Sequence, residues 1–97
     1  MIRYAILAAL AALPAHAQES PAARSLAATC AACHGTDGRS TTKEGVALAG
    51  LPKEHIASQM RAFRDGVRPA TIMHQIAKGY SDQQIDLMAD YFARRPR

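Results

Sequence analysis

Aromatic side chains are scarce in this sequence, and tryptophan is absent. The 97 residues include two phenylalanines and three tyrosines. Four of these five follow residue 17, and they are Phe63, Tyr80, Tyr91 and Phe92. A chain of this size buries a limited hydrophobic core and commonly needs a disulfide, a metal or a cofactor as well. The composition therefore predicts that something other than side chains fills part of the interior.

Cysteine is also scarce. Both cysteines lie in the segment TCAACHG, residues 29–35, as Cys30 and Cys33, and His34 follows directly. A zinc site would need a second pair of ligands, which the sequence lacks, and a thioredoxin-like site would need a βαβ setting. One disulfide is the ordinary use of two cysteines in an exported protein, whereas Cys-x-x-Cys-His is the attachment pattern of c-type haem.

The spacing of this motif favours haem. On a helix, Cys30 and Cys33 are three residues apart and His34 is four residues from Cys30, so all three share one face. Two thiols can then bond the two vinyl groups at the edge of a porphyrin, and the imidazole can bind the iron as the proximal ligand. We therefore predict one covalently bound haem c, attached to Cys30 and Cys33, with His34 as an axial ligand.

Long hydrophobic runs are missing outside the N-terminus. Residues 1–17, MIRYAILAALAALPAHA, combine a basic start, a short apolar run and a small-x-small ending at Ala17. This three-part pattern is typical of a cleaved export signal. The apolar run is shorter than the ~20 residues of a membrane-spanning helix. The sequence therefore predicts a periplasmic protein with a signal peptide at 1–17, a single domain over 18–97 and no membrane span in the mature chain.

Strong charge bias is absent as well. The formal net charge is +4 at pH 7, which is mildly basic and can steer a protein towards an acidic partner. Basic and aromatic residues are not interleaved, so we do not expect nucleic acid as a partner.

No strand alternation appears, and the apolar spacing is helical. Helical patterns cover residues 19–34, 51–66, 70–79 and 81–95. Ser20 is the expected N-cap of the first helix, and Ser81 with Gln84 forms a capping box for the last. Two stripes are expected to be buried: Ile56, Met60, Phe63 and Val67, and Ile85, Met88, Ala89 and Phe92. We predict an all-α fold of about four short helices wrapped around the haem.

The second axial position of the iron has several candidate ligands: Met60, Met73, Met88, His55 and His74. Methionine there suits an electron carrier, histidine lowers the potential, and an open position would allow ligand or peroxidase-type chemistry. Met60 and Met88 lie on apolar stripes, where methionine usually packs in the core. His55 is expected to face solvent.

Met73 is the favoured candidate. It lies in a short helical segment between Pro69 and Gly79, and a segment tethered in this way can cross the far face of the ring. Facing Met73 inwards places Ile76 on the same side of the helix. His74 then points about 100° away. His74 remains the main rival on spacing alone.

The quoted motifs also resemble a known family. CAACHG, followed about forty residues later by TIMHQIAKGYSDQQIDLMADYFA, is similar to class I c-type cytochromes of the short bacterial kind. Within that group the IAKGYS run most resembles the small haem subunit of flavocytochrome c sulfide dehydrogenase. The resemblance spans about residues 26–94, and it identifies the domain over 18–97 as a cytochrome c domain.

This resemblance carries specific implications. It makes Cys30 and Cys33 the thioether attachments, and His34 and Met73 the axial ligands. It implies single-electron transfer from an FAD-containing flavoprotein that oxidises sulfide, onward transfer to a downstream cytochrome or oxidase, and no catalysis by this chain itself. A free diffusible carrier is the alternative. Related cytochromes often have a proline before the LAG stretch, near a backbone carbonyl that orients the axial histidine; here the stretch is GVALAG, with Val46.

Overall fold

The computed structural model describes residues 20–43 and 45–97. The predicted signal peptide at 1–17 lies outside the described residues. The described ranges contain five α-helices, one 3₁₀ turn at Thr36–Gly38 and no strand. The helices are α1 (Pro21–Ala28), α2 (Ala31–His34), α3 (Lys53–Arg64), α4 (Met73–Ala77) and α5 (Asp82–Ala93). The predicted all-α fold is confirmed.

The first predicted helix is two helices, because the chain turns at Thr29 and Cys30. The start is as predicted: the Ser20 hydroxyl accepts a hydrogen bond from the Ala23 amide at 3.1 Å. At the break, the backbone amide and the hydroxyl of Thr29 both donate to the Leu26 carbonyl. The Cys30 amide therefore bonds three residues back, to Ala27, instead of four. Threonine hydroxyls compete with the helical ladder in this way.

Gly35 ends α2, as the sequence predicts. Its φ is 80°, in the left-handed region that glycine adopts without steric cost. A Cβ atom at this position would also lie 2.4 Å from the carbonyl oxygen of Arg39. Glycine is therefore required both for the backbone conformation and for the close approach of the next loop.

The predicted stripe of α3 is correct except at its end. Ile56 is buried, and Met60 and Phe63 are half-buried, but Val67 is 78% exposed. Gly66 has a φ of 75°, and the amides of Gly66 and Val67 bond back to the carbonyls of Phe63 and Ala62. This is a Schellman motif, which ends the helix. Val67 thus lies beyond the helical repeat, and the prediction that it is buried is wrong.

The third predicted helix is shorter than expected. The predicted range 70–79 contains α4, which runs from Met73 to Ala77, and Ile72 before it has a non-helical φ of −139°. Its C-cap is Lys78, one residue before the glycine that bounds the predicted segment.

Helix α5 is the centre of the core. Its capping box is present as predicted: Ser81 Oγ accepts from the Gln84 amide, and the Gln84 side chain accepts from the Ser81 amide. The predicted stripe is at most 2% exposed. Tyr91 is buried too, which the stripe did not predict, and its hydroxyl donates to Asp37 Oδ1 at 2.6 Å.

Helix α5 packs against both α1 and α3, and α4 packs against α3. Two arginines of α3, Arg61 and Arg64, form ion pairs with Asp82 at the start of α5. These arginines hold the pKa of the Asp82 carboxyl below its ordinary value.

No helix within the described ranges is long and apolar enough to cross a membrane.

Candidate haem site

A cavity of about 550 Å³ lies between α2, α3, α4 and the loop before α3. Its volume falls in the range of roughly 300–1,000 Å³ that is usual for cofactor sites. Cys30, Cys33, His34 and Met73 all line it. The fold therefore brings together the four residues that the sequence predicts as haem ligands, although about forty residues separate Cys33 from Met73.

The two cysteines are free thiols on the wall of this cavity. Cys30 is half-buried, and Cys33 is exposed. Burial raises the pKa of the Cys30 thiol; a contact with the Thr29 hydroxyl lowers it, and Cys33 raises it further. Both thiols are free and line the same cavity, as attachment to the two vinyl groups of one porphyrin requires.

The His34 ring is held by the backbone. Its Nδ1 atom lies 2.7 Å from the carbonyl oxygen of Val46. A carbonyl only accepts hydrogen bonds, so the proton is on Nδ1, and Nε2 keeps the lone pair that a metal needs. The carbonyl expected near the LAG stretch is therefore that of Val46, and a proline is not needed to supply it.

Gly45 makes this hydrogen bond possible, and it was not among the residues predicted from the sequence. A Cβ atom on Gly45 would lie 1.9 Å from the carbonyl oxygen of Cys33 and 3.2 Å from the Cα of His34. The loop can rest against α2 only if residue 45 has no side chain. A glycine directly before Val46 was the sequence feature that could have indicated this close contact.

Met73 and His74 have different surroundings. Met73 is half-buried and lines the cavity together with Ile76. Within the described part of the chain, His74 is not among the residues that line the cavity, and its buried Nδ1 atom has no hydrogen-bond partner. The helix turns the two side chains in different directions, as predicted. This placement favours Met73 over His74 as a ligand.

The other candidate ligands also lie near the cavity. Met88 is 2% exposed and packs in the core, while Met60 is half-buried and packs against it. Both contribute to the cavity wall. His55 is exposed, as expected, and lies at the edge of the same cavity.

Arg68 supplies a positive charge to the cavity wall. Its guanidinium lies 4.6 Å from the centre of the Phe63 ring and donates to the side chain of Gln59. All three residues line the cavity. Porphyrin carboxylates are the natural partners of such a cation. No prediction from the sequence gave Arg68 a role, although it directly precedes the segment that contains Met73.

The residues present fit haem c. Two thiols, the His34 imidazole with a free Nε2, the Met73 thioether and the Arg68 guanidinium lie in a cavity wall that is otherwise formed largely by apolar side chains. Cys30 and Cys33 would bind the porphyrin, His34 and Met73 the iron, and Arg68 a carboxylate.

Comparison with known proteins identifies the family of this chain. The sequence model of the family described as Cytochrome c matches residues 20–94. The chain is 40% identical over 67 residues to the cytochrome subunit of sulfide dehydrogenase of Chlorobaculum tepidum, covering 69% of this chain and 60% of that protein. It is 41% identical over 69 residues to a thiosulfate dehydrogenase electron acceptor of Thiomonas intermedia, covering 70% of this chain and 32% of that protein.

A third relative is matched over most of its own length. The chain is 38% identical over 68 residues to cytochrome c-554(548) of Halomonas halodenitrificans, covering 67% of this chain and 82% of that protein. By contrast, it spans about a third and about three fifths of the other two relatives. The family match extends over most of the chain and includes every proposed ligand. The chain therefore belongs to the cytochrome c family, whose members carry covalently bound haem c and transfer electrons.

Proposed function

We propose that this chain is a periplasmic electron-transfer cytochrome with one haem c. The haem is bound through thioether bonds to Cys30 and Cys33, with His34 and Met73 as axial ligands. The observation that carries the proposal is that these four side chains line a single cavity. Residues 1–17 are the cleaved signal peptide, and residues 18–97 form the cytochrome c domain.

The residues of the chain have distinct tasks in this proposal. When bound, haem c supplies an iron that takes up and releases one electron. The hydrogen bond from His34 to the Val46 carbonyl fixes the ring and makes Nε2 a stronger donor. Met73 would be the second protein ligand of the iron, which would keep substrates off the metal and suits a carrier. The chain itself therefore carries out no catalysis.

Carbon monoxide tests the assignment of Met73. It binds ferrous haem at once only where an axial position is open. We expect the wild-type spectrum to stay unchanged on mixing, and that of Met73→Ala to shift immediately. His74→Gln is the matched control and should behave as the wild type does. An immediate shift in the wild type would show an open site, and a shift in the His74 variant alone would make His74 the ligand.

The electron donor in this proposal is an FAD-containing flavoprotein that oxidises sulfide. The similarity to a cytochrome subunit of sulfide dehydrogenase supports it, and so does the IAKGYS run at residues 76–81. Purification from the native periplasm tests both location and partner: flavin should accompany the haem, and the mature chain should begin at Gln18. A haem fraction free of flavin at every step would contradict the subunit assignment.

A free diffusible carrier is the second candidate. It is supported by the similarity to cytochrome c-554(548), most of whose length the chain covers. Such a carrier would deliver electrons to a terminal oxidase or to another dehydrogenase. It would purify as a lone monomer that is reduced by, but does not co-elute with, its donor.

A further inference from the structure

A hydrogen bond joins the two halves of the proposed haem site at a place that the ligands themselves do not occupy. The hydroxyl of Tyr80 lies 2.8 Å from Oγ1 of Thr29, fifty-one residues earlier in the chain. Thr29 directly precedes the attachment residue Cys30. Tyr80 lies three residues beyond the end of α4, the helix that begins with Met73.

The direction of this hydrogen bond follows from the partners of Thr29. Its hydroxyl has one hydrogen, which it donates to the Leu26 carbonyl at 2.7 Å. Thr29 Oγ1 can therefore only accept from Tyr80, and the phenol is the donor. The result is a chain of two hydrogen bonds that runs from Tyr80 through Thr29 to the last turn of α1.

Tyr80 and Thr29, which these hydrogen bonds connect, are each joined to the proposed haem site by a short stretch of backbone. The amides of Gly79 and Tyr80 bond to the carbonyls of Ile76 and Ala77, so residues 78–80 continue the last turn of α4. Tyr80 is half-buried and packs against the core. At the other end, Thr29 lines the cavity, and its hydroxyl lies 3.9 Å from the Cys30 sulfur.

Helix α4 needs such an anchor because it is short. It has five residues and no side-chain cap, and helices of this length are not stable alone. It packs against α3, whereas the hydrogen bond of Tyr80 ties its far end to the helix pair that carries the cysteines.

We propose that Tyr80 is a positioning residue, whose hydrogen bond to Thr29 holds α4 against the haem-attachment segment and thereby keeps Met73 on the iron. This inference rests on the proposed ligation by Met73. It predicts that loss of the hydroxyl makes Met73 easier to displace.

Imidazole titration of the ferric holoprotein measures this displacement, because imidazole can bind the iron only when Met73 has left. In Tyr80→Phe we expect its apparent association constant to rise about three- to tenfold, the range that one neutral hydrogen bond supports. Thr29→Val should show a similar rise, and the double variant no more than the larger single one. Thr29→Ser keeps the hydroxyl and should restore wild-type binding.

Tyr91→Phe is the matched control. It removes the same atom from a hydrogen bond with Asp37, away from α4. If Tyr80 had only a general structural role, both variants would unfold more easily and bind imidazole as the wild type does. Wild-type affinity in Tyr80→Phe, or an equal rise in Tyr91→Phe, would overturn the inference.

A further variant separates this inference from the proposal on which it rests. If Met73→Ala binds imidazole no more tightly than the wild type, Met73 is not the ligand, and both fail. If Met73→Ala binds more tightly while Tyr80→Phe does not, the ligand assignment stands and the positioning role alone is wrong.

Discussion

Replacing Gly45 by alanine tests how the backbone controls the axial histidine. The added Cβ would lie 1.9 Å from the carbonyl oxygen of Cys33, and real Cβ atoms essentially never approach closer than 3.0 Å. The loop must therefore move away from α2 by about 1 Å or more. Val46 is the next residue, so its carbonyl moves with the loop and away from His34.

The size of this movement is enough to break the hydrogen bond. The bond between His34 and Val46 is 2.7 Å long, and a further displacement of about 1 Å takes it beyond the usual limit of roughly 3.2 Å. Without that acceptor, the imidazole donates less electron density to the iron, and the ferric state loses stabilisation. The reduction potential of the variant should therefore rise.

The expected shift follows from the energy of one hydrogen bond. A net value of about 0.5–1.5 kcal/mol corresponds to roughly 20–65 mV for a one-electron couple, since tenfold equals about 59 mV. A spectroscopic redox titration of the purified holoprotein measures it. The unfolding free energy should also fall by about 1–3 kcal/mol, the usual cost of overpacking.

Gly66→Ala is the control for lost stability. Gly66 has a φ of 75° and no atom within 4 Å of an added Cβ, so alanine there strains the backbone by about 1–2 kcal/mol without approaching His34. We expect its potential to stay near the wild-type value. If Gly45→Ala also keeps the wild-type potential, or if both variants shift equally, the reasoning about the Val46 carbonyl is wrong.

Three further predictions concern charge, packing and pH. Arg68→Gln should lower the reduction potential, because a cation on the cavity wall favours the less positive ferrous state; redox titration measures this. Ile85→Ala should lower the free energy of unfolding by about 2–5 kcal/mol, since Ile85 is fully buried; denaturant melts measure it. The hydrogen bond to Asp37 and burial raise the pKa of Tyr91 above 10. Tyr91 thus stabilises the fold fully below pH 10, and this contribution is lost as the pH rises through its raised pKa.

Each of these predictions has a control and a contrary result. Arg68→Lys keeps the charge, so its reduction potential should lie closer to the wild-type value than that of Arg68→Gln. Equal potentials in the two variants would mean that charge is not the cause. Ile85→Val should cost about 0.5–1.5 kcal/mol, and equal losses in both variants would contradict the burial argument. Tyr91→Phe should flatten the loss of stability above pH 10, and an unchanged alkaline profile would point to other groups.

The caps of the first and last helices could be predicted from sequence, and the haem-attachment motif could be recognised there, because their determinants are local. Cys30, Cys33 and His34 share a face by helical spacing alone. Ser20 and the pair of Ser81 and Gln84 cap their helices through contacts three residues away. These interactions join residues that are close in sequence, so they do not depend on how the rest of the chain folds.

Two predictions about where helices end were wrong, because in each case two local signals competed. The apolar and helical pattern at 19–34 continues through Thr29, but the threonine hydroxyl and amide occupy the carbonyl that the next turn needs. The stripe of α3 continues to Val67, but Gly66 reverses the chain first. In both cases the periodicity was present and a hydrogen-bonding alternative ended the helix.

Tertiary structure alone decided the surroundings of the site. The carbonyl that holds His34 comes from Val46, twelve residues away, and only the close contact at Gly45 brings it within reach. The direction of Met73 against His74 was a consequence of helical geometry, but which of them faces the cavity depends on how α4 packs on α3. Helical geometry requires that two neighbouring side chains point about 100° apart. Which of the two faces the cavity depends on the packing of the folded chain.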